Sequence, residues 1–433
     1  MSKNYLQLFL QHNRTEPTGH ILHLPISKSL MARRLLLVSL RGVNLGPICT
    51  DRARLPEDIR SLVQALEVSH QGGSVISVGE SGTAMRFMAA YLAAKTSRTV
   101  RLEGTARQHE RPIAPLVEAL RQLGAKLEYL GQPGYPPLSI EPAQIRGEAI
   151  ELDASASSQY LSALLLIGAC IEGGGYKIDV SRSGLASAPY AQMTLEVLRE
   201  QGVYWHQTGQ IYEYSTRTKE ITSTTTLEEA DWTAASYAYE LVAIGAVESL
   251  QLPQLKLPSL QGDSLYLPHI FESFGVMTEP YESGIQLSLT HARADSMLTL
   301  DCSSCPDLVP TFVATSVALG RSFSLDGVAH LRIKESDRLE ALRTECAKVG
   351  ADLQLYPSRI AWDGKYTSRH NDTATVLCTH SDHRMAMALA PAFVHLLGAV
   401  QVEAPEVVAK SFPHFWDELS QLGWVRSQSL LRC

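Results

Sequence analysis

With 433 residues, 45% of them hydrophobic and 19% charged, the chain has room for two sizeable domains and the composition of an ordinary soluble globular protein. A net charge of −7 argues against a general nucleic-acid surface, while local cation clusters can still hold a small anionic substrate. The opening MSKNYLQLFLQHNRTEPTG lacks the long apolar core of a secretory signal, and the apolar stretch from Met385 to Val400 is broken by Pro391 and His395, so no membrane span is expected.

In chain order, LQLFLQH and HILHLPI read as strands joined by the turn-like NRTEPTGH. Ser27-Lys28-Ser29 then opens the apolar run LMARRLLLVSL, with Ser27 or Ser29 as a cap and Arg33 one turn beyond Ser29. Gly79-Glu80-Ser81-Gly82-Thr83 opens AMRFMAAYLAA, where glycine lets a bound group approach the backbone. Arg107 and Arg111 flank Gln108-His109-Glu110 ahead of the next helix, and arginine forks suit carboxylate and phosphate oxygens. Ser157-Ser158-Gln159 opens YLSALLLIGA and offers two hydroxyls and an amide beside free backbone N–H groups.

The second half repeats the pattern. Asp231-Trp232-Thr233 and Pro306-Asp307-Leu308 open further apolar runs. Lys334-Glu335-Ser336-Asp337-Arg338 precedes LEALRTECAKVG, where the i,i+4 spacing lets Lys334 and Arg338 face one ligand from one helix face and Asp337 can pair with Arg338, and Asp382-His383-Arg384 precedes MAMALAPAF. Lys410 stands before SFPHFWDEL, at another helix entrance. The six polar starts recur with a period near 75 residues after a shorter first interval. A second series keeps the same period: Gly124, Gly202, Gly275, Gly350 and Gly423 each end a helical pattern and precede a short alternating run. Two helices and several strands per unit predict an α/β (α+β) protein of six units. Three starts fall between about Pro25 and Glu228 and three after Glu229, which predicts two lobes, with the N-terminal strands free to join either.

Helix starts carry free N–H groups and partial positive charge. The cations Lys28, Arg107, Lys334, Arg338, Arg384 and Lys410 suit substrates with several negative charges, and the carboxylates Asp307 and Glu335 suit proton transfer in both directions. Seven scattered cysteines, with one CxxC at Cys302 and Cys305, read as reduced cytoplasmic thiols. His380, Asp382 and His383 make a poor metal set beside Arg384. No metal and no nucleotide-binding loop is required.

The strings SKSLMARRLLL, ESGTAMRF, ERPIAPLVEALRQLGA, SSQYLSALLL, KESDRLEALRTECAKVGA and DHRMAMALA resemble the EPSP synthase (3-phosphoshikimate 1-carboxyvinyltransferase) family over essentially the full chain. The resemblance implies a two-lobed inside-out α/β barrel with three βαβαββ units per lobe. Residues 26–228 would form one lobe and residues 1–25 with 229–433 the other, with the site in the cleft between. It implies transfer of the enolpyruvyl group of phosphoenolpyruvate to the 5-hydroxyl of shikimate 3-phosphate, with release of phosphate, no cofactor and a monomeric cytoplasmic enzyme.

By the same resemblance, shikimate 3-phosphate would be held by Lys28, Ser29, Arg33, Ser157, Ser158, Gln159, Ser187, Tyr190, Asp307, His330 and Lys334. Phosphoenolpyruvate would be held by Lys28, Gly82, Arg107, Gln159, Arg338, Arg384 and Lys410. Asp307 would be the base, Glu335 with Lys28 would move the proton at the methylene carbon, and His383 would lie near the reacting centre. The chain departs from the family pattern at Ala32, Glu80, Phe87, Ala188 and His330. UDP-N-acetylglucosamine enolpyruvyl transferase is the nearest alternative. Its reactive cysteine would fall at Arg107–Glu110, and no cysteine occurs between Cys49 and Cys170. A silent binding protein on the same fold is the other alternative, and the intact Asp307, Glu335 and cation set argues against it.

Overall fold

The computed structural model describes residues 4–10, 20–43, 45, 52–146, 149–168, 176–185, 187–215, 229–290, 294–367 and 375–430. Most of the expected turn NRTEPTGH and the lobe boundary at Glu228 lie outside the described residues. The chain falls into two compact units, one of residues 1–25 with 228–433 and one of residues 26–227.

Within residues 26–227, strand Val75–Ser77, helix Gly82–Lys95 and strand Val100–Glu103 form a parallel crossover. Helix Ala114–Gln122 and the antiparallel strands Lys126–Tyr129 and Leu138–Glu141 complete a βαβαββ repeat whose sheet order is first, second, fourth, third. The segment from Ala149–Glu151 to Ile211–Ser215, with helices Ser158–Ile167 and Ala188–Glu200, repeats this topology. Helices Lys28–Leu40 and Glu57–His70 supply the helical pair of a third copy.

The unit of residues 228–433 contains the same sheet order three times. Strand His20–Ile21 pairs in parallel with Ser249–Pro253 to begin one copy around helices Trp232–Ala243 and Asp263–Glu272. Strand Leu298–Asp301 begins the next, around helices Val309–Leu319 and Arg338–Ala347. The last copy, around helices His383–Leu397 and Phe415–Gln421, is closed by Asn4–Leu10, which lies antiparallel between Ala399–Glu403 and Trp424–Leu430. Both N-terminal strands therefore join this unit.

Each unit packs three of its helices against one another: those beginning at Lys28, Gly82 and Ser158, and those beginning at Trp232, Val309 and His383. These helices are mostly apolar and mostly buried, so their stability comes from being surrounded. In Val309–Leu319, every residue from Val309 to Ala318 is buried. The partner helices are amphipathic. Glu57–His70 buries Ile59, Leu62, Val63 and Leu66 at helical spacing. The five repeat glycines all have positive φ, from 73° at Gly202 to 89° at Gly124, the conformation that ends a helix and turns into the next strand.

The six polar starts are the starts of these inner helices. Ser27, Ser81, Ser157, Asp231 and Asp382 each accept a backbone N–H as N-caps. The start at Asp307 differs. A 3-10 turn, Pro306–Leu308, leads into Val309–Leu319 with no side-chain cap, which leaves the Asp307 carboxylate for other partners. Among the described residues, no helix is long and apolar enough to cross a membrane.

Candidate active site

In the unit of residues 228–433 the charged starts converge on one guanidinium. Arg338, 1% exposed, bonds Asp382 Oδ2 through Nε at 2.7 Å, Asp307 Oδ1 through Nη1 at 2.9 Å and Glu335 Oε2 through Nη2 at 2.7 Å. Arg384 Nη2 reaches Asp307 Oδ2 at 2.8 Å, and Lys410 Nζ lies 3.6 Å from Glu335 Oε1. Burial alone would raise the proton affinity of Asp307. Arg384, Arg338 and Lys334 outweigh it and hold that carboxyl well below the usual carboxylate range. Burial alone would weaken the charge on Arg338, but Asp382, Glu335 and Asp307 reverse this and raise its affinity for its proton. Four cations thus face three carboxylates, which leaves the cluster net positive and suited to further anionic groups.

Asp382 works twice, capping its helix through Arg384 N at 3.0 Å and anchoring Arg338. Ser336 also donates to it, at 3.2 Å. His383 is 1% exposed and its Nδ1 lies 3.8 Å from Asp382 Oδ1. His330 is driven down to about 4 by burial and then by Lys334, so its imidazole is neutral. Its Nε2 is buried without a hydrogen-bond partner among the described residues.

Two local expectations change. Lys334 and Arg338 are not neighbours on one helix, because Asp337 is the N-cap and Lys334 precedes it after the 3-10 turn Ala329–Ile333. Both still act on Asp307 electrostatically. Asp337 pairs with Arg332 rather than Arg338, at 3.3 Å, and caps Glu340 N.

The unit of residues 26–227 has a polar end built from three helix starts. Lys28 Nζ bonds Asp58 at 2.9 Å. Gln159 accepts from Arg86 Nη1 at 3.0 Å and donates to Thr83 at 2.8 Å, which ties the second start to the third. Gly82 is needed by its neighbours: a Cβ there would stand 2.5 Å from Arg111 Nη1 and 2.7 Å from Arg86 Nη1. Arg111 therefore lies beside Gly82, whereas Arg107 is half exposed and bonds Glu110.

Arg33 is 2% exposed and donates to Thr194 Oγ1 at 2.7 Å, Ser29 O at 2.8 Å, and Ser162 Oγ and Tyr190 O at 3.1 Å. It sits near the rings of Phe87 and Tyr190, at 5.7 and 5.9 Å. Burial lowers its guanidinium to about 10, which leaves it charged at neutral pH. Among the described residues it has no carboxylate partner. Ser157 caps its helix, Ser158 is buried, and Ser187 precedes its helix at a left-handed φ of 54°.

Sequence reasoning passed over Asp58, Arg86, Ser162, Thr194 and the duties of Asp382. Ser162 carried a signal, as a hydroxyl inside the apolar run YLSALLLI. Asp58, on a partner helix outside any motif, carried none. Cys302 and Cys305 are buried free thiols. Among the described residues no group of three His, Cys, Asp or Glu is placed to hold a metal.

Two solved structures share the fold. EPSP synthase from Acinetobacter baumannii matches with a TM-score of 0.70 at 20% identity, covering 98% of this chain and 100% of that one. The enolpyruvyl transferase NikO from Streptomyces tendae matches with a TM-score of 0.71 at 11% identity, covering 100% of both.

Residues 53–419 match the family model of EPSP synthase (3-phosphoshikimate 1-carboxyvinyltransferase). The chain is 37% identical over 407 residues to 3-phosphoshikimate 1-carboxyvinyltransferase of Bacteroides fragilis, covering 93% of this chain and 95% of that one. It is 32% identical over 420 residues to the enzyme of that name from Syntrophobacter fumaroxidans, with coverage of 93% and 96%. The chain belongs to the EPSP synthase family of enolpyruvyl transferases.

Proposed function

We propose that the protein transfers the enolpyruvyl group of phosphoenolpyruvate to the 5-hydroxyl of shikimate 3-phosphate and releases phosphate, as a cytoplasmic monomer without a cofactor. The observation that carries this reading is the grip of Arg338 on both Asp307 and Glu335, with Arg384 bonded to Asp307 and Lys410 ion-paired with Glu335 at 3.6 Å. It joins two proton-transfer groups to a surplus of cations, as a reaction between two anionic substrates requires.

In this reading Asp307 takes the proton of the attacking hydroxyl as its oxygen bonds to C2 of phosphoenolpyruvate. The methylene carbon gains a proton from the Glu335 and Lys28 pair, which gives a tetrahedral intermediate. Loss of phosphate from C2 and return of that proton restore the double bond. Lys28, Ser29, Arg33, Ser157, Ser158, Gln159, Ser187, Tyr190, His330 and Lys334 would hold shikimate 3-phosphate. Gly82, Arg107, Arg338, Arg384 and Lys410 would hold phosphoenolpyruvate, with Lys28 and Gln159 shared. Arg86 and Arg111, beside Gly82, join that second set. His383 would lie near the reacting carbon.

Phosphate release tests the reading. It should require shikimate 3-phosphate and phosphoenolpyruvate together. Release with phosphoenolpyruvate alone, or none with both present, overturns it.

A further inference from the structure

The helix start at Asp231-Trp232-Thr233 has no duty in the reaction, yet it is tightly built. Asp231 caps Ala234 N at 2.9 Å, and Trp232 N bonds Gln261 Oε1 at 3.0 Å. Thr233 Oγ1 donates to Asp263 Oδ2 at 2.5 Å. Asp263 is the first residue of its helix and is buried, and among the described residues no cation pairs with it.

Its position relative to Asp307 follows from the helix register. Ser236 lies one turn beyond Thr233 and meets Thr311 Oγ1 at 2.9 Å, while Thr311 lies one turn beyond Asp307. The 3-10 turn that carries Asp307 also packs directly on the Trp232–Ala243 helix, whose Thr233 holds Asp263. The charged and titratable groups around Asp263 are Asp231 on the capped start, Asp307 on the 3-10 turn, Cys305 just before that turn, and Arg384 at the start of its helix, and the Trp232–Ala243 helix packed on the Asp263 helix carries the buried Tyr237, Tyr239 and Glu240. The strand Val276–Tyr281, packed on the Asp263 helix, carries Glu279, which is exposed, and Tyr281, which is half-buried.

We propose that Asp263 is a positioning residue of the reaction: held by Thr233, it sets the charge felt by Arg384 and Asp307, and so how readily Asp307 accepts a proton. The inference rests on the function proposed above. Burial raises the Asp263 carboxyl to about 7, with the Thr233 bond and Arg384 opposing and Asp307 and Asp231 adding to the rise. Asp307 is held far below the usual range by its cations, and a carboxylate so stabilised is a weak base. A negative charge on Asp263 competes for Arg384 and repels the charge on Asp307, which raises the proton affinity of Asp307. As pH rises through neutrality, Asp263 ionises and Asp307 becomes a better base.

The test compares wild type with Asp263→Asn, which keeps the shape and the Thr233 bond and removes the charge. Phosphate release is followed from below to above neutral pH with both substrates saturating. Wild-type kcat should rise through neutrality, and Asp263→Asn should lose that rise, falling about tenfold behind on the alkaline side for a one-unit change at Asp307. Thr233→Val should move the inflection to higher pH.

Superimposable pH profiles of wild type and Asp263→Asn overturn the inference. A substrate-free infrared titration of the protonated-carboxyl band provides a second arm. The component that titrates near neutrality in wild type should vanish in Asp263→Asn, leaving that of the buried Glu240 carboxyl, and should titrate at higher pH in Arg384→Met. An unmoved midpoint in Arg384→Met overturns the coupling. Absence of phosphate release in wild type overturns the proposed reaction instead, and the infrared arm still decides whether Asp263 and Arg384 are coupled.

Discussion

Asp382 meets Nε of Arg338 at 2.7 Å, and both side chains are essentially shut off from water, at 0% and 1% exposure. The pair joins the start of the His383–Leu397 helix to the start of the Arg338–Ala347 helix. Its geometry fixes which way the other two nitrogens of Arg338 point, and those nitrogens carry Asp307 and Glu335.

Removing Asp382 should therefore damage the fold and the site together. Asp382→Ala strips a buried partner from Arg338 and a cap from Arg384 N. Breaking a buried pair of this kind costs about 3–5 kcal/mol. The shift in urea midpoint measures it, and a loss below ~1 kcal/mol would show that the pair does not bear on stability.

Gly82→Ala should separate function from stability. The added methyl meets the far ends of two arginine side chains rather than backbone. Those ends can move, so the melting temperature should change little. The displaced Arg86 and Arg111 should raise KM for phosphoenolpyruvate about tenfold or more, the effect of losing ~1.4 kcal/mol of binding. An unchanged KM would remove both arginines from the binding set.

Asp263 makes a prediction about stability that is independent of activity. Its folded carboxyl, raised by burial to about 7 from the ordinary aspartate value of about 3.9, holds its proton more tightly than the unfolded chain does. The stabilisation is present at low pH and is lost as pH rises between those two values. Asp263→Asn lacks this loss. Relative to wild type, it should gain on the order of a few kcal/mol between pH about 5 and about 8. Denaturant titrations at the two pH values check this, and a constant difference between the proteins would contradict it.

The periodic features of the fold were legible from the sequence because they are local. A cap, an apolar run and a helix-ending glycine recur every repeat, and five of the six expected starts carry a side-chain cap. The sixth departs because Pro306–Leu308 winds as a 3-10 turn, and that departure leaves the Asp307 carboxylate for Arg338 and Arg384. Partners distant in sequence were not legible. Arg33 is held by Ser162 and Thr194, more than a hundred residues away, and only packing brings them together. Spacing suggested that Lys334 and Arg338 share a helix face, but it could not show that the helix begins after Lys334. Nor could it distinguish Arg107, bonded to Glu110, from Arg111 beside Gly82. The role of Asp263 depends on Thr233, Ser236 and Thr311 lying in register on two helices, a tertiary relationship with no motif.

The most direct test of the account is the turnover of Asp307→Asn with saturating shikimate 3-phosphate and phosphoenolpyruvate, read as phosphate released. The substitution keeps the side-chain shape and one of the two oxygens that accept from Arg338 and Arg384, and removes the proton acceptor. Its kcat should fall about 10²–10⁴-fold below wild type, the usual contribution of a positioned base, with the fold intact by circular dichroism. Turnover within a factor of about two of wild type would contradict it.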